Sequence, residues 1–223
     1  MRLRVLTWNL LHGRSLPNAG RDLLPEFTAA LEGWEWDVAL LQEVPPWWPQ
    51  ALSERLEGQV EHRRVLTSRN SLLPLRRAIA VRWPDLIKSN GGGANAILVR
   101  DIPVVDHRTL RLCWWPERRQ LQAVRLATGV WAGNLHATVG DDPGARRDAE
   151  RARVAMVNWA DGAPFVLGGD WNVRGLALAG LTNAGGHDVD FVFTSGLEPI
   201  GEVEVLERGP LSDHAPVRVT LGD

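Results

Sequence analysis

The stretch FVLGGDWN, Phe165 to Asn172, runs from an apolar strand pattern through two glycines into an aspartate, a tryptophan and an asparagine. A tight turn after Gly168-Gly169 would explain it alone. The same event, however, recurs along the chain. Asn9 closes VLTWN, Glu43 closes VALLQE, and Asn134 and His136 close VWAGNLH, while Asp190 opens DFVF and Asp213 with His214 precedes APVRV. Taken singly, Asn9 reads as a turn former, Glu43 as a surface residue and His136 as a satisfied core histidine. As a set they resist that reading. Carboxylates at strand ends of a packed sheet sandwich converge on one rim, where unpaired charges repel one another and lose hydration.

A hard divalent cation resolves that conflict. Cys113 is the only cysteine, so neither an internal disulfide nor a thiolate metal site can form, and any metal must take oxygen or imidazole ligands. Carboxylate and amide oxygens suit Mg²⁺ or Mn²⁺. Histidines beside such a metal carry or position protons near neutral pH. Metal plus proton-handling groups points to phosphoryl hydrolysis by in-line attack of water.

The body that would hold this rim is readable from periodicity. Strands are expected at about 2–8, 37–43, 94–100, 120–127, 130–136, 164–169, 189–194 and 215–221, and helices at 21–33, 47–57 and 144–160. Many strands, few helices and no low-complexity linker indicate one α/β domain over 1–223, with two sheets and helices outside. The stretch 58–93 is the least regular; its Arg63, Arg64, Arg69, Arg76, Arg77 and Arg82 make it a candidate substrate-facing surface. Lys88 is the only lysine, and arginine forks match phosphate oxygens. No apolar run approaches the roughly 20 residues of a membrane-spanning helix, and MRLRVLTWNL enters a strand pattern at once. The expected location is therefore the cytoplasm, without membrane contact.

In order and approximate spacing, TWNL at 7–10, LQEV at 41–44, NLH at 134–136, GGDWN at 168–172, DFVF at 190–193 and SDH at 212–214 resemble the endonuclease/exonuclease/phosphatase superfamily. Any one block occurs by chance; six in sequence do not. The family holds pancreatic-type deoxyribonucleases, abasic-site endonucleases, tyrosyl-DNA phosphodiesterases, deadenylases, neutral sphingomyelinases and inositol polyphosphate phosphatases. The resemblance implies a four-layer α/β sandwich, two mixed β-sheets packed face to face with the site along one edge. It implies Glu43 as principal Mg²⁺ (or Mn²⁺) ligand with Asn9 and Asp213 near the metal or its waters. Asp170, the expected base, and Asn172 would orient water and phosphate. His214 would touch the scissile phosphate while Asp190 holds its other ring nitrogen. His136 resembles the extra histidine of the deoxyribonuclease, sphingomyelinase and tyrosyl-phosphodiesterase branches, a general acid or hydrogen-bond donor. Arg119, with Arg118 competing, and Asn134 resemble phosphate-contacting residues. Several branches place a catalytic tyrosine in mid-chain; this chain has none, and its role is expected either to be absent or to be filled by an arginine or Asn95.

Motifs give the reaction and leave the substrate open. A DNA-directed nuclease, with DNA repair among its settings, ranks first, because loop arginines can track a backbone and exposed members of Trp47, Trp48, Trp114 and Trp115 can stack on bases. A phosphatase or phosphodiesterase acting on a lipid, inositol or small-molecule phosphoester ranks second, and a non-catalytic nucleic-acid-binding scaffold third.

Overall fold

The first strand, β1 (Arg2–Asn9), is buried on both faces: Leu3, Val5 and Thr7 point one way, Leu6 and Trp8 the other. Such a strand must lie between two layers. The computed structural model describes residues 1–67, 72–83, 86, 93–115 and 117–223. In it those layers are a second sheet on one side and helices on the other.

Thirteen strands and four α-helices follow among the described residues. They are β1, α1 (Leu24–Glu32), β2 (Val38–Val44), α2 (Trp48–Ser53), β3 (Val60–Leu66), α3 (Leu73–Arg82), β4 (Ala94–Arg100), β5 (Val104–Cys113), β6 (Arg119–Leu126), β7 (Trp131–His136), α4 (Asp142–Ala160), β8 (Phe165–Asp170), β9 (Thr182–His187), β10 (Asp190–Ser195), β11 (Glu198–Pro199), β12 (Glu204–Val205) and β13 (Val217–Gly222). One sheet runs β11-β13-β1-β2-β4-β3, with β12 also on β13; the other runs β5-β6-β7-β8-β10-β9. Pairs β1/β2 and β7/β8 are parallel and the rest antiparallel, so both sheets are mixed.

Period-two alternation assigns each strand face to its layer. Val5, Val38, Leu40, Ile97 and Val99 meet Val124, Ala132, Val166 and Val192 between the sheets. Outside the first sheet, Leu6, Trp8 and Leu41 pack under Phe27 and Leu31 of α1 and Trp48 and Leu52 of α2. Outside the second, Ala145, Ala149, Ala152 and Met156 of α4 cover Leu121, Leu135 and Leu167. Each large side chain so enclosed is worth about 1.5–3 kcal/mol. Helices, sheet, sheet, helix give the four-layer sandwich.

The sequence-based boundaries differ where apolar pattern is weak. The expected irregular stretch 58–93 contains β3 and α3, and β5, β9, β11 and β12 add strands not expected. Of the arginines expected to face substrate there, Arg63 pairs with Glu61, Arg64 bonds the Pro46 carbonyl, Arg77 lies over Trp47 and Arg82 over Trp83. Arg69 falls outside the described residues. The helix expected at 21–33 is confined to Leu24–Glu32, and that at 47–57 to Trp48–Ser53.

Asn134 has a structural task. Fully buried, it accepts from Gln42 Nε2 at 2.8 Å and donates to the carbonyls of Leu41 at 2.9 Å and Ala96 at 2.8 Å, tying β7 to β2 and β4 across the sandwich. Gly169, at φ +147°, lets β8 run close to β7; a Cβ there would sit 2.0 Å from the Leu135 carbonyl oxygen. Gly169→Ala is therefore expected to cost about 3 kcal/mol, a fall in Tm of roughly 6–12 °C for a chain of this size. Thermal unfolding checks it; a fall under about 2 °C would mean that β7 and β8 can spread freely.

Candidate active site

Parallel neighbours end on the same side of a sheet. The C-terminal ends of β1 and β2 therefore abut, as do those of β7 and β8, while antiparallel β10 and β13 begin there. This topology delivers Asn9, Glu43, His136, Asp170, Asp190, Asp213 and His214 to one rim. His136 and Asp190 each stand opposite Asp170 in register.

Asp170 is at the centre. Only 1% exposed, its Oδ2 accepts from Asn9 Nδ2 at 2.9 Å across the two sheets, and its Oδ1 accepts the Asn172 backbone N–H at 3.0 Å. His136 Nε2 lies 3.4 Å and His214 Nε2 3.8 Å from Oδ2. Burial raises the Asp170 pKa above the usual carboxylate range, and the charge of His214 with the Asn9 and Asn172 bonds only partly restrains it. A carboxylate moved that way is a better base at neutral pH.

His214 Nδ1 bonds Asp190 Oδ2 at 2.7 Å. Burial alone would lower the imidazole pKa, but that bond, with the charges of Asp190, Asp170 and Asp213, outweighs it and pushes His214 up to about 9. Asp190, buried, is pushed up to about 6, so near neutral pH the two form an ion pair. Two backbone contacts set the ring: Trp8 Nε1 donates to the His214 carbonyl at 3.0 Å, and Ser212 Oγ accepts the His214 N–H at 3.1 Å while donating to the Asn9 carbonyl at 2.6 Å. His136 is the opposite case. Burial, then the charges of Arg119, His214 and His12, hold it well below the ordinary histidine value, so it is neutral.

Glu43 faces the cleft from a bulge at the end of β2, at φ +49°. Burial and the neighbouring Asp170 push its pKa up to about 7. His12, to which the resemblance gave no role, stands with Nε2 3.1 Å from Glu43 Oε2, while His136 Nδ1 is 3.9 Å from Oε1. Burial and the cations Arg14 and Arg119 lower His12 to about 4. The sequence carried one signal for it, a histidine-glycine pair three residues beyond Asn9; its contact with Glu43 depends on the local turn. Leu11, His12, Glu43, Asn172 and Ser212 all have positive φ, between 47° and 60°. Such backbone costs about 1–3 kcal/mol per residue and clusters at functional sites.

The rim opens into a cleft of about 570 Å³ lined by Asn9, His12, Glu43, His136, Asp170, Asn172, Asp213 and His214 and by Thr67, Arg76, Glu117, Arg118 and Arg119; of these, Thr67 and Glu117 had no expected place at the site. Arg119 is 5% exposed, its Nη2 2.7 Å from Glu117 Oε2. Asp213 borders the cleft, its Oδ1 3.9 Å from His214 Nε2. Asn172 donates to the Ala137 carbonyl at 3.1 Å. Two residues expected at the substrate do not line the cleft: Asn134 is consumed between the sheets, and Asn95, the expected substitute for the missing tyrosine, is fully buried and donates to the Gln120 carbonyl at 3.3 Å. Asn9 reaches the site reversed from the orientation of a metal ligand: its Oδ1 accepts the Leu11 N–H at 2.9 Å and its amide N–H groups face the carboxylates. Of the tryptophans, Trp48 is buried against Phe27 and Trp47 is packed beside it; Trp114 and Trp115 are exposed.

The donor set fits a divalent cation. Asp170, Asp190 and His214 bring one ligand atom each within 4.8 Å of one another, yet the Asp190–His214 bond occupies two of those donors, which makes the Glu43 side the better seat. There, a carboxyl held partly protonated by burial and by a second carboxylate would ionise fully beside a cation.

A search of curated protein sequences finds no match. Solved structures match in fold. An endonuclease/exonuclease/phosphatase from Beutenbergia cavernae DSM 12333 superposes with TM-score 0.74 at 20% identity, covering 99% of this chain and 71% of that one. TDP2 from Caenorhabditis elegans gives 0.71 at 17%, covering 100% and 75%. A mannosyl-6-phosphatase from Bacteroides thetaiotaomicron VPI-5482 gives 0.70 at 18%, covering 98% and 99%. The sequence itself matches the model of the endonuclease/exonuclease/phosphatase family over residues 6–214, which takes in the rim residues from Asn9 to His214. This chain belongs to that family of phosphoester hydrolases, whose members generally depend on a divalent metal.

Proposed function

We propose that residues 1–223 act as one catalytic domain, a divalent-metal-dependent phosphodiesterase that hydrolyses nucleic acid, DNA foremost. The observation that carries the chemistry is the buried Asp170 carboxylate, with Asn9, Asn172, His136 and His214 arranged around it. Bound at Glu43 with Asp213 nearby, Mg²⁺ or Mn²⁺ would neutralise charge on the phosphate. Asp170 takes the proton of the attacking water. His214, charged and braced by Asp190, donates through Nε2 to a phosphoryl oxygen. Neutral His136 serves as a hydrogen-bond donor; its low pKa argues against a general-acid role. Arg119, held by Glu117, and Arg118 contact the phosphate and take over the tyrosine's place, and Asn172 orients the phosphate and water. Asn9 acts through its N–H groups on Asp170 and Glu43.

Support for a polymeric substrate comes from chain neighbours of Arg118. Trp114 and Trp115 line a second cavity of about 460 Å³ together with Arg111, Arg147 and Arg151. Cations interleaved with indoles suit a strand that continues past the scissile bond. The reading of a small phosphomonoester substrate is favoured by the size of the cleft and by the likeness to the mannosyl-6-phosphatase of Bacteroides thetaiotaomicron. End-labelled single-stranded, duplex, nicked and abasic DNA and RNA, incubated with Mg²⁺, Mn²⁺ or EDTA, decide between them. Metal-dependent cutting of DNA, lost in Asp170→Asn, is expected. Intact polymers beside rapid hydrolysis of a sugar phosphate would replace the nuclease reading with the phosphatase one.

A further inference from the structure

The family resemblance accounts for Glu43 but leaves unexplained the imidazole set against it. His12 Nε2 lies 3.1 Å from Glu43 Oε2. Two donors in adjacent positions around one cation, at ordinary bond lengths of about 2.1 Å, are about 3 Å apart. The spacing therefore suits two atoms sharing an ion as well as it suits a hydrogen bond.

The backbone is arranged to keep the ring there. Leu11, His12 and Glu43 hold positive φ at 47°, 53° and 49°, a conformation uncommon outside glycine and costly above all for Leu11 and Glu43. Gly13 follows at φ +75°, and a Cβ there would strike the Trp48 ring at 2.5 Å, so the turn is pressed onto the α2 side of the core. Asn9, meanwhile, turns its amide oxygen to the Leu11 N–H and its N–H groups to the carboxylates. An amide presenting N–H is no metal ligand in that orientation. The coordination position beside Glu43 is left to the ring of His12.

We propose that His12 is a nitrogen ligand, through Nε2, of the metal held by Glu43, and that this donor makes the site prefer a first-row transition ion over Mg²⁺. Mg²⁺ takes oxygen ligands and gains little from imidazole, whereas Mn²⁺, Fe²⁺ and Co²⁺ bind mixed nitrogen and oxygen sets with affinity rising along that order. The inference rests on the metal reading of Glu43 given above and goes beyond it in ligand and in ion.

The test uses Mn²⁺ itself as probe. Binding is followed by the electron paramagnetic resonance of free Mn²⁺, and ligation by pulsed-resonance modulation from ¹⁴N, repeated on protein carrying ¹⁵N-histidine. In the wild type, one Mn²⁺ is expected to bind with a histidine nitrogen coupling that changes on ¹⁵N substitution. His12→Ala should abolish the coupling and weaken Mn²⁺ by about tenfold or more, while Mg²⁺, measured by competition, changes less than about threefold. His12→Gln keeps a side chain that can bond Glu43 without an imidazole, and should bind Mn²⁺ with no coupling; it keeps the question open to refutation if the alanine variant folds poorly. His136→Ala and His214→Ala should leave the coupling intact. Bound Mn²⁺ without nitrogen coupling, or coupling that survives in His12→Gln, overturns the role of His12 and spares Glu43. No Mn²⁺ binding by the wild type, or equal binding by Glu43→Gln, overturns the metal reading beneath it.

Discussion

Glu43→Gln is expected to lower metal-dependent turnover by roughly three orders of magnitude, the equivalent of the several kcal/mol a metal contributes at a phosphoryl centre, and at the same time to stabilise the metal-free protein at pH 8. The second half follows from the pKa. The Glu43 carboxyl is pushed up to about 7 by burial and by Asp170, from an ordinary value of 4.5. Between those values the native state binds more protons than the unfolded chain, so metal-free stability rises as pH falls through 7. At pH 8 the ionised group is a burden of at most about 3 kcal/mol, an upper bound because its side chain is 23% exposed. The glutamine introduced there would carry no such charge while its amide oxygen still accepts from His12 or Asn9. Calorimetry in EDTA should therefore show the variant melting several degrees above the wild type at pH 8, with most of the difference gone near pH 5 and all of it lost below 4.5. A variant less stable than the wild type at pH 8 would mean that Glu43 is already well solvated by its neighbours, and would remove the reason for a cation there.

The central strands were legible because both of their faces are buried: VLTW in β1 and VALLQ in β2 have no exposed side to dilute the apolar pattern. Edge strands gave no such signal. VEHRRVL of β3 and VVDHRTLRLC of β5 each have one paired neighbour and side chains that are mostly half-buried or exposed, so charge replaces alternation. Two glycines interrupt the short β9, and α3 buries only Ala80, which leaves no amphipathic stripe to read. At the site, polar residues that interrupt an apolar run could be found by eye, and Asn9, Glu43, His136, Asp170, Asp190, Asp213 and His214 do meet at one rim. What the run could not show is which way each side chain turns. Asn134 sits in the same block as His136 yet, being two residues away on a strand, is absorbed by the inter-sheet space. Asn9 and His12 are decided by backbone in the left-handed region, a feature that leucine, histidine and glutamate do not advertise.

The second large effect concerns the histidine brought to that rim by the last strand. His214→Ala is expected to lower kcat by about 10²–10³, the usual loss when a donor to developing phosphoryl charge is removed. Asp190→Asn tests why His214 is a good donor. Its pKa of about 9 exists because Asp190, bonded at 2.7 Å, with Asp170 and Asp213 overcomes the effect of burial. Such a raised value has two signed consequences. The stability that comes from His214 holding its proton is present below pH 6.5 and is lost as pH rises through 9, while Asp190, at about 6, gives up its charge as pH falls through that value; the protonated donor disappears as pH rises through 9. The asparagine of that variant could still accept the Nδ1–H bond but would carry no charge, so the alkaline limb of the rate profile should move from near 9 to below about 7 while activity near pH 6 falls far less. In the His214→Ala background, Asp190→Asn should change the rate by less than about twofold, because a brace has no effect once the group it braces is gone. An alkaline limb that stays near 9 in Asp190→Asn would assign the titrating proton to another group, and fully additive losses would mean that Asp190 acts on the substrate rather than through the ring.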